Sequence, residues 1–403
     1  MFNKKFQGVR VTMKKSFMSN LVAILTLVFL LVVAGCGIEE TEETIETSGD
    51  PTAVETIKIG VIVAETGPAS TLGATQAKTV ELVQKQLDEA GPIDGKKIQL
   101  VKQDYETNDT KAVVAMDKLI SEGVVAVVGA TQSSTSMAIM PKAIEKKLPL
   151  FTLAPIASDS EYVYSMAHSS VNNVLPIAEY LKENNIKKVA WVNASDGFGV
   201  LGKPAFEGLA KEYGLEIVAH EEFDATATDM TIQLTKVRQS NPEAIVVWSR
   251  TPGAGIIARN YRAMDFDIPM LQSSAAANQG FLEQVKDDNE NIFVVASKLN
   301  VLDQLPDSEQ KDMLQEFYDS FQNEFNSAPD LFAAHLLDGV NIVINAIKAG
   351  NVTSEDIQNY LQNDLGRYLG ATGTFDFSIT QATPENDGVA VLSIENNTWK
   401  YND

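Results

Sequence analysis

The chain has 403 residues, of which 54 are Asp or Glu and 32 are Lys or Arg, so its formal net charge is -22 at pH 7. This acidic balance repels phosphate backbones and anionic lipid head groups, which argues against a nucleic-acid partner. The single cysteine excludes an intramolecular disulfide. The stability of the folded chain must therefore come from burial, in a protein long enough for two domains.

The chain begins with the features of an export signal. Lys14 and Lys15 precede an apolar run over residues 21–33, which is shorter than the roughly 20 apolar residues of a transmembrane helix. The run ends in the sequence VAGC, which resembles the bacterial lipobox, with Cys36 as its cysteine. We therefore predict a lipoprotein signal peptide over residues 1–35 and a diacylglycerol group on the Cys36 sulfur.

Residues 36–56 are predicted to form an acidic tether. They are rich in Glu and Thr and contain too few apolar residues to build a core. A self-repelling segment of this length would hold the folded part roughly tens of ångströms from the membrane surface. Either Met1 or Met13 can be the start of translation, because both precede the basic entry to the apolar run.

From Ile57 onward, apolar runs of strand length alternate with segments of helical periodicity. Strands are predicted at residues 57–63, 97–103, 124–128, 150–153, 189–193, 215–220, 244–248, 269–272, 292–296, 373–377 and 389–394. Helices are predicted at residues 73–90, 109–122 and 134–147, between the later strands, and through most of 306–363. The pattern is weak at residues 155–172. The alternation predicts an α/β protein with parallel sheets covered on both faces, arranged as two doubly wound lobes.

One dinucleotide-binding motif is present but poorly placed. Residues 197–202 read G-x-G-x-x-G, follow a strand and open a helix, and Glu221 and Glu222 stand about 20 residues further on. The first glycine lies several residues beyond the apolar part of the strand, so the tight turn that holds a pyrophosphate is not specified. Residues 91–97 are likewise one residue short of a P-loop and lack its Ser or Thr. We predict no nucleotide cofactor.

Catalytic and metal motifs are also missing. The three histidines, His168, His220 and His335, are scattered and form no zinc motif. There is no G-x-S-x-G sequence, and no acid, base and nucleophile occur together. We predict a protein that is not an enzyme and has no metal site.

Polar residues follow the predicted strand at 124–128. Gly129-Ala-Thr-Gln-Ser133-Ser134-Thr135 leads from that strand into a helix, so hydroxyl groups and free backbone N–H groups would converge at the helix N-terminus. Ser133 or Ser134 is predicted to cap the helix, and this can be their only role. The functional interpretation adds an anion site at the same place that holds a ligand carboxylate. The loop at residues 66–73 would form one rim of the same cleft.

These loops, together with Asp104, Asn108-Asp109-Thr110, Leu148-Pro149-Leu150 and Asp196-Gly-Phe198-Gly199, resemble the leucine/isoleucine/valine-binding-protein family over residues 57–401. The resemblance implies a type I periplasmic-binding-protein fold, in which two doubly wound parallel-sheet lobes are joined by a three-crossover hinge and close on a small solute. It implies residues 57–170 plus 298–387 as the first lobe and residues 171–297 plus 388–403 as the second.

The resemblance also implies a set of ligand-binding residues. Ser133 matches the family serine that bonds the ligand carboxylate, and Ala154 falls where a backbone group orients the ligand. The remaining positions that the resemblance brings to the cleft are Leu72, Ser134, Ile156, Phe198, Trp248, Arg250 and Ser274.

Two positions depart from the family pattern. A carboxylate that pairs the ligand ammonium is common near position 274, where this chain has Ser274, and an aromatic is common where it has Arg250. The ammonium then lacks an obvious partner, unless Asp159 or Glu161 supplies one. These departures favour a small organic acid, or a weakly cationic relative of an amino acid, over an ordinary amino acid.

The resemblance implies a monomeric, lipid-anchored binding protein on the outer side of a bacterial cell membrane. Its partners would be a branched-chain amino acid or related small carboxylate and the permease of an ABC importer. A ligand-sensing receptor on the same fold is the alternative. An enzyme on this scaffold is the third possibility.

Overall fold

The computed structural model describes residues 54–378 and 382–401. The predicted signal peptide, Cys36 and the tether up to residue 53 lie outside the described residues. The first strand begins at Glu55, two residues before its predicted start at Ile57.

Two sheets form the framework. The first is entirely parallel, with strand order β2-β1-β3-β4-β5. Its strands are β1 (Glu55–Val63), β2 (Lys96–Asp104), β3 (Ala126–Gly129), β4 (Leu150–Thr152) and β5 (Val163–Ser165).

The second sheet is mixed and larger, with strand order β14-β13-β10-β9-β8-β6-β7. Its parallel strands are β6 (Lys188–Ala194), β7 (Glu216–Phe223), β8 (Ala244–Trp248), β9 (Met270–Gln272) and β10 (Ile292–Ser297). The antiparallel strands β13 (Val389–Glu395) and β14 (Thr398–Tyr401) complete one edge. A separate two-stranded sheet pairs β11 (Arg367–Leu369) with β12 (Thr374–Asp376).

Helices cover both sheets. Those beside the first sheet are α1 (Ser70–Ala90), α2 (Asp109–Ser121), α3 (Ser133–Glu145), α9 (Glu309–Phe325), α10 (Leu331–Lys348) and α11 (Ser354–Asn363). Those beside the second are α4 (Ser170–Glu183), α5 (Gly197–Tyr213), α6 (Thr231–Gln239), α7 (Gly253–Ala263) and α8 (Gln279–Val285). Short 3-10 helices lie at Ser274–Ala276, Lys298–Gln304 and Asn386–Gly388.

Each sheet is buried on both faces, as the continuous apolar runs predict. On β1, Ile59 and Val61 pack into one hydrophobic cluster and Ile62 packs into the cluster on the opposite face. On β6, Val192 packs into a cluster on one face of the second sheet, and Trp191 packs into another cluster on the opposite face. Four apolar layers therefore hold the two sheets between their helices.

Each sheet and its helices form one lobe, and the chain crosses between the lobes three times. The crossings follow β5, β10 and β12. This confirms the predicted two-lobe α/β architecture with three crossovers, while the predicted residue boundaries of the lobes stay a prediction. The apolar helix Leu331–Lys348 has the length of a membrane span, yet 83% of it is buried within the protein, so it is a core helix of the first lobe.

Three short elements were not predicted. Strand β5 lies within the weak stretch at residues 155–172, and its three buried residues are too few to show a period. Strand β11 pairs only with β12. Strand β14 follows β13 through a tight turn at Asn396 and Asn397, both of which adopt positive φ values, and pairs with it at the sheet edge.

Candidate ligand-binding cleft

The candidate site lies where the strand order of each sheet reverses. In the first sheet, β1 and β3 are neighbours. The chain continues from β1 to β2 on one side of this pair and from β3 to β4 on the other side. In the second sheet, β6 and β8 have the same relation. Ligands bind in open α/β sheets at such switch points, beyond the carboxyl ends of the strands. Here the two switch points face each other across one cleft, which is lined by residues from both lobes.

On the side of the first lobe, the N-terminus of α3 faces the cleft without a side-chain cap. The N-cap residue is Gln132, whose side chain makes no capping hydrogen bond, so the predicted capping by Ser133 or Ser134 is wrong. The Ser133 hydroxyl is buried and has no hydrogen-bond partner. A helix N-terminus leaves its first backbone N–H groups unpaired and carries a partial positive charge. The arrangement suits an anionic ligand group.

On the side of the second lobe, Arg250 follows β8 and forms an ion pair with Asp196, which follows β6. Only 22% of the Arg250 side chain and 15% of the Asp196 side chain are exposed. Asp196 also accepts a hydrogen bond from the backbone N–H of Gly199 at 2.8 Å and so caps α5. Burial lowers the pKa of Arg250, which still remains charged near neutral pH.

Arg250 also reaches the opposite lobe. With the Gln132 amide oriented so that its nitrogen donates to the Tyr105 hydroxyl at 3.2 Å, its oxygen accepts from Nε and Nη2 of Arg250, each at 3.1 Å. The guanidinium thus bridges Asp196 on its own lobe and Gln132 on the other. Arg250 is therefore held inside the cleft and is not a solvent-exposed arginine at the end of a strand.

The lobes also touch at the mouth of the cleft. A Cβ atom placed on Gly197, the first residue of α5, would lie 3.0 Å from the backbone nitrogen of Ser134 and 2.9 Å from Cε of Met137. A Cβ atom on Gly280 would lie 3.3 Å from a methyl group of Thr71. These contacts join one lobe to the other, so the structure shows the cleft in a closed arrangement.

The closed cleft encloses a cavity with an empty volume of about 500 Å³, which includes its opening to solvent. The structure brings seven of the nine predicted ligand-binding residues to its wall: Leu72, Ser133, Ser134, Ala154, Phe198, Arg250 and Ser274. That they contact a ligand stays a prediction.

The other two predicted residues lie elsewhere. Ile156 lines a separate cavity next to Ser165 and Thr383. Trp248 is fully buried behind the cleft wall, where its ring stacks on Phe198 at 5.3 Å between centroids and its Nε1 donates to the Phe198 carbonyl at 3.1 Å. Trp248 therefore positions Phe198 and does not itself line the cavity.

Several cavity residues were not predicted. His168 lies at the first crossing between the lobes, Asn173 lies near the start of α4, and Phe332 and His335 lie on α10. The sequence shows the two histidines far apart, whereas the fold brings both to one wall. Among residues 54–378 and 382–401, no group of three or more His, Cys, Asp or Glu side chains is arranged to hold a metal ion.

Both histidines are neutral at pH 7. Burial lowers the pKa of His168 to about 4. Burial and then the neighbouring His168 lower the pKa of His335 to about 3, against a weaker opposing effect of the Leu153 carbonyl. Neither ring nitrogen of His335 has a partner at full hydrogen-bond geometry. The contact with the Leu153 carbonyl is therefore weak.

The glycines of the G-x-G-x-x-G motif have a packing role. A Cβ atom on Gly199 would lie 1.7 Å from the Ala194 carbonyl oxygen, and one on Gly202 would lie 2.4 Å from Nε1 of Trp248. These glycines let α5 lie close to β6 and to the tryptophan. Asp196 occupies the helix N-terminus, the place where a dinucleotide-binding motif holds its pyrophosphate.

Comparison with known proteins agrees with this geometry. The model of a family described as "Periplasmic binding protein" matches residues 56–398. The chain belongs to the periplasmic binding protein family. The match covers both lobes and all three crossings.

Relatives of this periplasmic binding protein include amino-acid-binding proteins. It is 20% identical to the leucine-, isoleucine-, valine-, threonine- and alanine-binding protein of Pseudomonas aeruginosa, over 77% of this chain and 83% of that protein. It is 23% identical to Leu/Ile/Val-binding protein homolog 3 of Brucella melitensis, over 55% of this chain and 62% of that protein. The resemblance predicted from the sequence is thereby confirmed.

Solved structures show the same fold. One is the branched-chain amino acid transporter substrate binding protein LivJ from Streptococcus pneumoniae in complex with isoleucine, with a TM-score of 0.76 and 25% identity over 86% of this chain and 98% of that one. Another is an extracellular ligand-binding receptor from Rhodopseudomonas palustris, with a TM-score of 0.80 and 21% identity over 87% of this chain and all of that one.

Proposed function

We propose that this protein is the extracytoplasmic substrate-binding lipoprotein of an ABC importer, and that it captures a small amino acid with an apolar side chain by closing its lobes. The observation that carries the proposal is the closed cavity, which both lobes line and into which an uncapped helix N-terminus opens beside Ser133. Closure of the lobes around a solute buries the solute, and the closed protein can then carry it to the permease.

The charges of the cavity favour a ligand with no net charge. Among the described residues that line the cavity, Arg250 alone is charged at pH 7, and Asp196 neutralises it. An organic acid would bring an uncompensated negative charge, since three guanidinium nitrogens are already engaged. In a zwitterionic amino acid, the ammonium group balances the charge of the carboxylate. The geometry thus favours an amino acid over the organic acid that the departures at Arg250 and Ser274 suggest.

The shape of the cavity favours an apolar side chain. Apolar residues from both lobes form most of the wall, and they are Leu72, Leu153, Pro155, Phe198, Ala275 and Phe332. Asp159 and Glu161, the acids considered as ammonium partners, are exposed and do not line the cavity. Burying a leucine-sized side chain here would contribute about 1.5–3 kcal/mol.

The proposed export, lipid anchor and import role rest on the lipobox at Cys36 and on the relatives. The isoleucine-bound protein from Streptococcus pneumoniae is named as a transporter substrate binding protein. A permease gene beside the gene for this chain would support import, whereas a neighbouring membrane receptor would support the sensor alternative.

Titration calorimetry on the purified protein tests the binding proposal. We expect leucine, isoleucine or valine to bind, and the keto acid of leucine to bind at least tenfold more weakly. A ligand at 100 times its Kd should also stabilise the protein by about 2.7 kcal/mol in thermal unfolding. Keto-acid binding without amino-acid binding, or no binding of either class, would contradict the proposal.

A further inference from the structure

Several buried polar atoms of the cavity wall have no partner, among them the Ser133 hydroxyl and the ring nitrogens of His335. Two others are acceptors that lie on adjoining residues of the wall, Nδ1 of His168 and Oδ1 of Asn173. His168 is 1% exposed and Asn173 is 2% exposed. Leaving a polar group buried and unpaired destabilises the protein, so such atoms in a binding cavity indicate groups that a ligand completes.

The hydrogen bonds of His168 fix which of its nitrogens can accept. Nε2 lies 3.1 Å from the carbonyl oxygen of Glu385, which belongs to the third crossing. A carbonyl can only accept, so Nε2 carries the proton. In the neutral ring Nδ1 is then unprotonated and accepts a hydrogen bond. Burial keeps the ring neutral by lowering the pKa to about 4.

The orientation of the Asn173 amide is fixed in the same way. Its Nδ2 donates to the His168 carbonyl at 3.1 Å and to the Ser169 carbonyl at 3.4 Å. The amide oxygen is therefore the atom left without a partner. Asn173 bonds directly to the backbone of His168, so the two residues are held beside each other.

We propose that His168 Nδ1 and Asn173 Oδ1 bind the α-ammonium group of the ligand, so that two uncharged acceptors replace the usual carboxylate. The inference rests on the proposed function and adds the group that recognises the ammonium. An ammonium group has three N–H donors and no acceptor, which matches the two bare acceptors of His168 and Asn173.

Uncharged acceptors are consistent with the charge balance of the site. A carboxylate here would give the empty cavity a net negative charge, which is costly to bury. With neutral acceptors the empty cavity has no net charge. Because a zwitterion also has no net charge, the cavity with its ligand remains neutral. The site should then select molecules that carry both an ammonium and a carboxylate, and reject leucine analogues that lack either one.

Two substitutions at one position separate recognition from folding. Asn173→Leu and Asn173→Asp both remove the Nδ2 donor and its two bonds, but only Asn173→Asp keeps an acceptor at the cavity. The probes are leucine, 4-methylpentanoate, which lacks the amino group, and 3-methylbutylamine, which lacks the carboxylate. Isoleucine or valine with their matching analogues replace this set if they bind more tightly.

We expect Asn173→Leu to weaken leucine binding at least tenfold while changing 4-methylpentanoate binding less than threefold. Asn173→Asp should keep leucine binding within tenfold of the wild type and should raise the preference for leucine over 4-methylpentanoate. Equal losses for leucine and 4-methylpentanoate in Asn173→Leu would overturn the proposal, because they would indicate a purely structural role.

Nitrogen NMR on protein with labelled histidine tests His168 directly, and the chain has only three histidines. Leucine should shift the Nδ1 resonance of His168 toward the value of a hydrogen-bonded acceptor. The exposed His220, which does not line the cavity, should stay unchanged. A His168→Phe variant assigns the signal. An unchanged His168 Nδ1 resonance at saturating leucine would refute the assignment.

The failure of this inference differs from the failure of the proposed function. If the wild type binds 4-methylpentanoate as tightly as leucine, the ammonium site is wrong and solute binding stands. If it binds none of the amino acids and none of the analogues, the proposed function itself fails.

Discussion

Substitution of Gly197 by alanine probes lobe closure with a single methyl group. Gly197 begins α5 on the second lobe and faces the N-terminus of α3 on the first. The added Cβ would lie 3.0 Å from the Ser134 nitrogen, 3.2 Å from its Cα and 2.9 Å from Cε of Met137. The Met137 methyl group can rotate away, but the Ser134 backbone cannot move without displacing α3.

The clash exists only in the closed form, because the two residues belong to different lobes. Overpacking costs typically about 1–3 kcal/mol, and a separation of 3.0 Å is only a few tenths of an ångström too short. We therefore expect a penalty near the lower limit, about 1 kcal/mol, which corresponds to roughly fivefold weaker binding. The open form and the folding of each lobe should be unaffected.

Gly208 supplies a matched control on the same helix. A Cβ atom at Gly208 meets nothing within 4 Å, so Gly208→Ala adds the same methyl group without a contact. Calorimetry with leucine, or with whichever apolar amino acid binds best, should show weaker binding for Gly197→Ala and unchanged binding for Gly208→Ala. The control variant should also gain about 0.4–1 kcal/mol of stability. Equal affinities in the two variants would refute closure onto Ser134.

Three further predictions concern anchoring, the bridge between lobes and pH. Cys36→Ser should leave an unprocessed precursor that takes up no labelled fatty acid, and cleavage or labelling of the variant would disprove the lipoprotein assignment. Arg250→Met should weaken ligand binding at least tenfold in calorimetry, since it leaves Asp196 without its partner and removes the bond to the other lobe; unchanged affinity would count against that bridge. His335 has a folded pKa of about 3, below its ordinary 6.5, so its stabilising effect is complete above pH 6.5 and is lost as the pH falls toward 3. The free energy of unfolding of the wild type should therefore fall as the pH is lowered from 7 to 4.5. In His335→Leu this fall should be smaller by about 2–3 kcal/mol, as measured by urea denaturation without ligand. The pKa of Asp330, raised to about 6 by burial, acts in the opposite direction but cancels in this comparison; parallel pH profiles would contradict the prediction.

The sequence predicts the fold well because its strands are buried on both faces. Such strands are continuous apolar runs, and the helices between them keep a helical period. The elements that escape prediction are short or lie at an edge. Val163–Ser165 has three residues and takes its conformation from pairing with Leu150–Thr152.

The cavity is predictable only where its residues follow strands. Ser133 and Phe198 lie just after buried strands, so the parallel-sheet rule brings both to the cleft. His168 lies at a crossing between lobes, where no period applies, and Asn173 lies at a buried position of α4, whose sequence pattern is that of a core position. His335 lies on an almost wholly buried helix, and its sequence pattern is that of a core position.

Arg250 shows why side-chain pairing is harder to predict than position. Its place after β8 follows from the strand pattern, whereas its bond to Gln132 depends on how the two lobes meet. The same holds for the contact between Gly197 and Ser134. Contacts between lobes require their relative placement, which local sequence patterns do not encode.

The distance between the two lobes tests the central claim most directly. Val114 on α2 and Ile232 on α6 are 63% and 71% exposed on different lobes, so cysteines there accept spin labels with little disturbance. In a Cys36→Ser background they are the only cysteines. We predict that saturating leucine, or the tightest-binding apolar amino acid, shortens the distance between labels and narrows its distribution. An identical distribution with and without bound ligand would contradict capture by lobe closure.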